Sequence, residues 1–172
     1  LSLAVVLLLG WCLTTFALAE DKPKYGGKLR VALAGDPPSL DMHQEQTFMV
    51  AIPLSPVYNT LVMFDPHGYP KVIGDLAKSW TVSQDGLTWT FTLHQGVTFH
   101  DGSALTSADV KASWEKIISP PQGVVSPRKG EYEFIQRIEA PDPSTVVFHL
   151  HYAAASFLTG IAHPANFIYA KK

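Results

Sequence analysis

Leu87-Thr88-Trp89-Thr90-Phe91-Thr92-Leu93 is the stretch on which the fold turns. Successive side chains of a strand point to opposite faces, so Leu87, Trp89, Phe91 and Leu93 share one face and Thr88, Thr90 and Thr92 form a ladder on the other. A strand of this kind needs a sheet with one face buried. Residues 79–82 read as its neighbour, joined to it through the turn Gln84-Asp85-Gly86. Further back, residues 61–64 read as a strand, Asp65-Pro66-His67-Gly68 as a turn, and residues 69–73 as the returning segment.

Downstream, residues 97–100 read as a short strand closed by Asp101-Gly102. Thr106-Ser107-Ala108-Asp109 then matches the capping-box pattern, a hydroxyl followed three residues later by a carboxylate. Val110, Trp114, Ile117 and Ile118 recur at helical spacing, and Pro120-Pro121 ends the run. Residues 122–130, with two glycines, Pro127 and the pair Arg128-Lys129, lack any periodicity and read as the most flexible interior stretch. Structure resumes over residues 131–138, turns at Pro141-Asp142-Pro143, and alternates again through Val146, Phe148 and Leu150. Residues 153–161 read as a last short helix.

Toward the front, residues 28–33 alternate polar and apolar after Gly26-Gly27, which predicts a strand with Leu29, Val31 and Leu33 on one face. Ala34-Gly35-Asp36-Pro37-Pro38-Ser39 takes the chain out into a loop, because the two prolines supply no backbone donor. From Thr47 the spacing of Phe48, Ala51 and Ile52 predicts a helix interrupted by Pro53 and Pro56.

The chain has 172 residues, 13 basic and 15 acidic side chains and a formal charge of −2, with 47% hydrophobic residues. Near-neutral balance argues against a nucleic-acid partner, which asks for a basic face. No charged residue precedes Glu20. Residues 1–19 read as a secretory signal peptide that lacks its own start, with Ala17-Leu18-Ala19 as the small-x-small box and cleavage between Ala19 and Glu20. The competing reading is an uncleaved membrane anchor. Cys12, the single cysteine, is preceded by bulky Trp11, which argues against lipid attachment. Cleavage leaves about 153 residues (20–172), enough for one domain that buries roughly 70% of its unfolded surface, and no cysteine for a disulfide or thiolate metal site.

Enzyme signatures are sparse. The sequence has no Gly-x-Ser-x-Gly elbow, no His-Glu-x-x-His helix and no glycine-rich phosphate loop. His149 and His151 lie two apart on a predicted strand, a spacing that could hold a metal, but an edge pair facing water explains them without a third ligand. Asp101, beside His100, is read as shaping its own turn. Lys22, Lys24, Lys28 and Arg30 are read as a solvated leader and strand face. Trp89 and Trp114 fall on apolar stripes and belong to the core, while Trp80 is open to either packing or ligand stacking. No catalytic residue, metal site or cofactor is assigned.

An ordered string of motifs says more than any one of them. Gly26-Gly27-Lys28-Leu29-Arg30-Val31-Ala32, Pro38-Ser39-Leu40-Asp41-Met42-His43, Val57-Tyr58-Asn59-Thr60-Leu61, Asp75-Leu76-Ala77-Lys78-Ser79-Trp80, Asp85-Gly86-Leu87-Thr88-Trp89-Thr90-Phe91, and Phe99-His100-Asp101-Gly102 through Asp109-Val110 follow in order. From Gly26 to about Ile161 the chain resembles the extracellular solute-binding proteins of the family 5 type, which include oligopeptide-, dipeptide- and nickel-binding proteins of ATP-driven bacterial importers.

The resemblance implies an α+β fold with a mixed sheet. It would be the N-terminal part of one lobe of a two-lobed, type II-like periplasmic binding protein, incomplete because family members are far longer. It also implies a receptor that is monomeric at full length, closes on a peptide or similar small solute, and delivers it to the membrane permease of an ABC importer. In peptide binders of the family the segment after the Ser-Leu-Asp-x-His turn lines the cleft, which here is residues 44–48. Gln46 and Thr47 would offer hydrogen bonds and Phe48 an apolar wall, whereas Ser39 and Asp41 are read as capping the turn. Met42 stands where proline is usual, and Pro53 and Pro56 interrupt a normally helical stretch, departures that fall on the cleft wall. The alternatives are a nickel-chelate or oligosaccharide binder of the same family and, from another class, an exported hydrolase.

Overall fold

The computed structural model describes residues 25–171. The expected signal peptide and its cleavage between Ala19 and Glu20 lie outside the described residues. Among those described, no helix is long and apolar enough to cross a membrane. The chain divides into two units, residues 1–32 and residues 33–172.

In the first unit, residues 25–32 adopt no regular secondary structure. Leu29 is 92% exposed and Val31 is 61% exposed. The strand expected over residues 28–33 is therefore not formed among the described residues. Alternation supplies a face, but a strand also needs a ladder partner, and none pairs with this segment here.

The second unit is α+β, as its alternating and helical patterns imply. Its elements in chain order are α1 (Phe48–Leu54), β1 (Val62–Phe64), β2 (Val72–Gly74), β3 (Ala77–Val82), β4 (Thr88–Leu93), α2 (Ser107–Ile118), β5 (Ile135–Asp142), β6 (Thr145–Leu150) and α3 (Phe157–Ile161), with a 3-10 turn at Lys129–Tyr132 before β5. β1 and β2 form a hairpin, and the other four strands form one sheet in the order β3-β4-β6-β5. Among the described residues every strand pairing is antiparallel, where a mixed sheet was expected. Short connections join β1 to β2, β3 to β4 and β5 to β6, and a parallel neighbour would need a longer crossover.

The period-two pattern of β4 decides which face of the sheet is buried. Phe91 and Leu93 are buried, as are Val146, Phe148 and Leu150 on β6, while Thr92 is exposed. Trp89 opposes Phe148 and Phe91 opposes Val146 in the register. α2 lays Val110, Trp114 and Ile117 on this face. The Trp114 ring meets Phe148 edge-on at 5.6 Å and Tyr132 at 5.1 Å, and α3 brings Phe157 to 5.6 Å from Phe148 and 4.9 Å from Trp89. Burying each such side chain stabilises by about 1.5–3 kcal/mol. Trp80 is half-buried and packs on this core, with its ring 6.2 Å from Phe91.

The turns use carboxylates to satisfy the amides that follow them. Asp85 accepts from Leu87 N at 3.0 Å, Asp142 from Ser144 N at 2.8 Å, and Asp101 from Ser103 N at 3.0 Å. At the start of α2, Asp109 Oδ2 accepts from Thr106 N at 2.8 Å and from the Thr106 hydroxyl at 2.7 Å, so the carboxylate closes the capping box. The segment expected as a strand over residues 97–100 contributes only one isolated bridge, Thr98 to Ala104. Gly74 has no room for a side chain, since a Cβ there would collide with the Ala77 carbonyl oxygen.

A second, smaller core lies apart from the sheet. Met42, Val50, Leu54, Ala165 and Phe167 are buried in it, with Tyr58 and Tyr169 packed against them. It joins the loop before α1, α1 itself and the last described residues.

Candidate functional site

The polar loop over residues 39–44 is a self-capped turn resting on the second core. Ser39 Oγ accepts from Asp41 N at 3.2 Å and Asp41 Oδ1 accepts from His43 N at 3.1 Å, the capping role read for both residues from sequence. Gln44 N donates to the Asp41 carbonyl at 3.1 Å, which completes the turn. Asp41 does more than cap. Its Oδ2 accepts from Gln44 Nε2 at 2.6 Å and from Lys116 Nζ of α2 at 2.5 Å. Burial alone would raise the Asp41 pKa, but hydrogen bonds from Lys116 and Gln44 outweigh it and hold the carboxyl below its ordinary value.

Behind this turn His43 is 1% exposed. Its Nε2 lies 2.8 Å from the Phe167 carbonyl oxygen, an acceptor only, so Nε2 carries the hydrogen. Nδ1 is then the bare nitrogen, and among the described residues it is buried without a hydrogen-bond partner. Burial lowers the pKa of His43 to about 4, helped by the positive charges of Lys116 and Arg128 and opposed by the Phe167 carbonyl and Asp41. The Tyr169 ring meets His43 edge-on at 4.6 Å, and its hydroxyl accepts from Met42 N at 3.2 Å. Burial pushes the Tyr169 hydroxyl up to about 12, so the ring is a neutral wall.

Beyond Gln44 the chain emerges into solvent. Gln46 and Thr47 are exposed and Phe48 is 81% exposed at the first turn of α1. Thr47 is the N-cap of α1; its side chain makes no capping hydrogen bond, while its carbonyl accepts from Val50 N and Ala51 N at 3.1 Å. Pro53 is accommodated inside α1, where an interruption was expected, and the helix ends at Leu54, before Pro56. Val50 and Leu54 bury its inner face in the second core. The three candidate ligand residues thus lie together on one exposed segment whose base is packed.

Two concavities flank this base. One, of about 550 Å³, is lined by Asp41, His43, Tyr58, Lys116 and Tyr169 among others. The other, of about 410 Å³, is lined by Tyr58, Asn59, Phe64, Asp75, Pro164 and Phe167 among others. Gln46, Thr47 and Phe48 line neither. Sequence reading gave Tyr58, Lys116 and Tyr169 no role. Tyr58 lies in the Val57-Tyr58-Asn59-Thr60-Leu61 motif, but nothing in local spacing signals that it lines both cavities.

Arg128 is the largest surprise. It sits in the loop expected to be the most flexible and is 2% exposed. Its Nη2 donates to the Ala165 carbonyl at 2.9 Å and the Met42 carbonyl at 3.3 Å, and its Nη1 donates to Asn166 Oδ1. The 149/151 pair is not the edge pair facing water that was expected: β6 lies between β4 and β5, His149 is mostly buried with its Nε2 3.3 Å from Glu139 on the neighbouring strand, and exposed His151 follows the end of β6. Among the described residues no group of three or more His, Cys, Asp or Glu is placed to hold a metal.

The family model for bacterial extracellular solute-binding proteins, family 5 (middle), matches residues 71–172. The glutathione-binding protein GsiB of Pectobacterium atrosepticum is 35% identical over 127 residues, covering 74% of this chain and 24% of the relative. Among solved structures, AgaA of A. tumefaciens R10 in complex with agropinic acid superposes with a TM-score of 0.71 at 32% identity, over 78% of this chain and 26% of that one. The periplasmic binding protein DppA of Helicobacter pylori, in complex with the peptide STSA, gives 0.69 at 27% identity over 79% of this chain and 29% of that one. The chain spans about a quarter of the length of the proteins it matches.

Proposed function

The chain belongs to the family 5 bacterial extracellular solute-binding proteins, and from that premise we propose that it is the N-terminal part of a receptor lobe that captures peptides or similar small solutes. In this reading residues 1–19 are a signal peptide removed between Ala19 and Glu20, and residues 20–172 are the first part of the solute-binding domain. The receptor works in the periplasm as a monomer and passes its solute to the permease of an ABC importer.

The observation that carries the reading is the placement of Gln46, Thr47 and Phe48, exposed side by side on a segment whose base is locked into the second core. Binding favours residues presented on a rigid support, because less ordering entropy is lost when the ligand arrives. Gln46 and Thr47 supply hydrogen-bonding groups for a peptide backbone, and Phe48 supplies an apolar surface. GsiB is named for glutathione and DppA was solved with a peptide, which favours ligands with amide backbones. No catalysis is proposed.

The test separates a binder from an exported hydrolase. The protein as encoded is mixed with glutathione and with the tetrapeptide Ser-Thr-Ser-Ala, with heat of binding measured by calorimetry and product sought by mass spectrometry. Saturable binding of at least one probe without turnover is the expected result. Turnover of either probe would replace the receptor with an enzyme.

A further inference from the structure

Arg128 is a permanently charged side chain buried where charge is costly; the neutral groups around its two terminal nitrogens bear part of that cost, while its Nε is buried without a hydrogen-bond partner among the described residues. A guanidinium cannot shed its proton in a protein, so it must be hydrogen-bonded or balanced. No carboxylate forms an ion pair with it among the described residues; three neutral oxygens receive it, the carbonyls of Met42 and Ala165 and the amide oxygen of Asn166. Asn166 is itself fully buried and held by the Tyr132 hydroxyl at 3.0 Å and by the Ile161 carbonyl at 3.2 Å. Tyr132 packs against Trp114 of the main core. The chain of contacts runs from the sheet core through Tyr132 and Asn166 to Arg128.

Both carbonyls that Arg128 grips belong to residues of the second core, Met42 and Ala165. That core is what α1 packs on through Val50 and Leu54. Its apolar contacts are few, and a small apolar cluster alone positions a segment loosely. A planar fork reaching acceptors on two segments removes that slack, since its geometry allows little rotation.

We propose that Arg128 is a positioning residue for ligand capture: it fixes the turn over residues 39–44 against residues 165–166 and so sets where Gln46, Thr47 and Phe48 stand. This rests on the reading of residues 46–48 as the ligand segment. Arg128 touches no ligand itself. Its effect on affinity passes through the second core.

The test uses Arg128→Met and the milder Arg128→Lys in the protein as encoded. In Arg128→Met the amides of Gln44, Val50 and Ala51, which donate to the Asp41 and Thr47 carbonyls, should exchange hydrogen at least about tenfold faster while those of β4 keep their protection. Arg128→Lys should fall between, because one ammonium cannot span three separated acceptors. Affinity for whichever of glutathione or Ser-Thr-Ser-Ala binds should drop about tenfold in Arg128→Met, with circular dichroism unchanged. Unchanged exchange at residues 44, 50 and 51 would overturn the proposal, as would equal acceleration through β4, which would mark Arg128 as a support of the whole fold. Gln46→Ala and Phe48→Ala run alongside. If neither alters binding, the ligand-segment reading fails while the exchange pattern still decides the role of Arg128; if neither probe binds, that pattern decides alone.

Discussion

His43 gives its Nε2 hydrogen to the Phe167 carbonyl, and burial keeps its pKa near 4, below the ordinary 6.5. In the unfolded chain the ring takes up its proton as pH falls through about 6.5, whereas in the fold it resists until about 4. Stability is therefore undiminished above pH 6.5, declines as pH drops, and has lost its full share, about 3 kcal/mol, below pH 4. Asp41, whose folded pKa is depressed, acts lower down: its contribution is present above its unfolded value of 3.8 and is lost as pH falls through the folded one. Between these limits His43 dominates the pair. His43→Gln keeps a donor for Phe167 without a titrating ring. Its urea midpoint should change less than that of the unsubstituted protein between about pH 7.5 and about pH 4.5, a difference worth about 2–3 kcal/mol. Equal acid sensitivity of the two proteins would remove His43 from this role.

At the scale of elements, what the sequence disclosed was what local pattern can encode. Alternation over residues 87–93 located β4 and its buried face, and Thr106 with Asp109 located the start of α2 within a residue. Asp109→Ala should cost about 1 kcal/mol, since Thr106 N and its hydroxyl both lose their acceptor. Asp109 Oδ1 also accepts from Lys171 N at 2.8 Å, so the loss should exceed that of Thr106→Ala, compared by urea unfolding; an equal or smaller loss would mean the cap carries all of it. Residues 28–33 misled because alternation is necessary for a strand and pairing is not written locally. Residues 122–130 hid something different: glycine and proline content announces the loop that is found, but nothing within nine residues reveals that Arg128 will be claimed by Met42, Ala165 and Asn166, residues 37 or more positions away. The candidate segment over residues 46–48 came from resemblance to a family, and its exposure and packed base are what the structure adds. Lys116 and Tyr169 joined the neighbouring cavity through tertiary contacts that no spacing rule anticipates.

At the scale of the molecule, two cores divide the labour. The larger, built from the sheet, α2 and α3, supplies most of the buried apolar surface, and the smaller holds the exposed segment to it through Tyr132, Asn166 and Arg128. In the proposed receptor this division would let side chains at the binding surface change without disturbing the main core. Binding should therefore be sensitive to the exposed segment and indifferent to the far side of the sheet, where His149 pairs with Glu139. The most direct measurement is calorimetric titration of the protein as encoded with glutathione and Ser-Thr-Ser-Ala, comparing Gln46→Ala and Phe48→Ala with His149→Ala and His151→Ala. The predicted result is affinity weakened about tenfold or more by each of the first two, the loss of one buried hydrogen bond or apolar contact being worth roughly 1–3 kcal/mol, and unchanged by the histidine pair. Binding abolished by the histidine substitutions and untouched at Gln46 and Phe48 would contradict it.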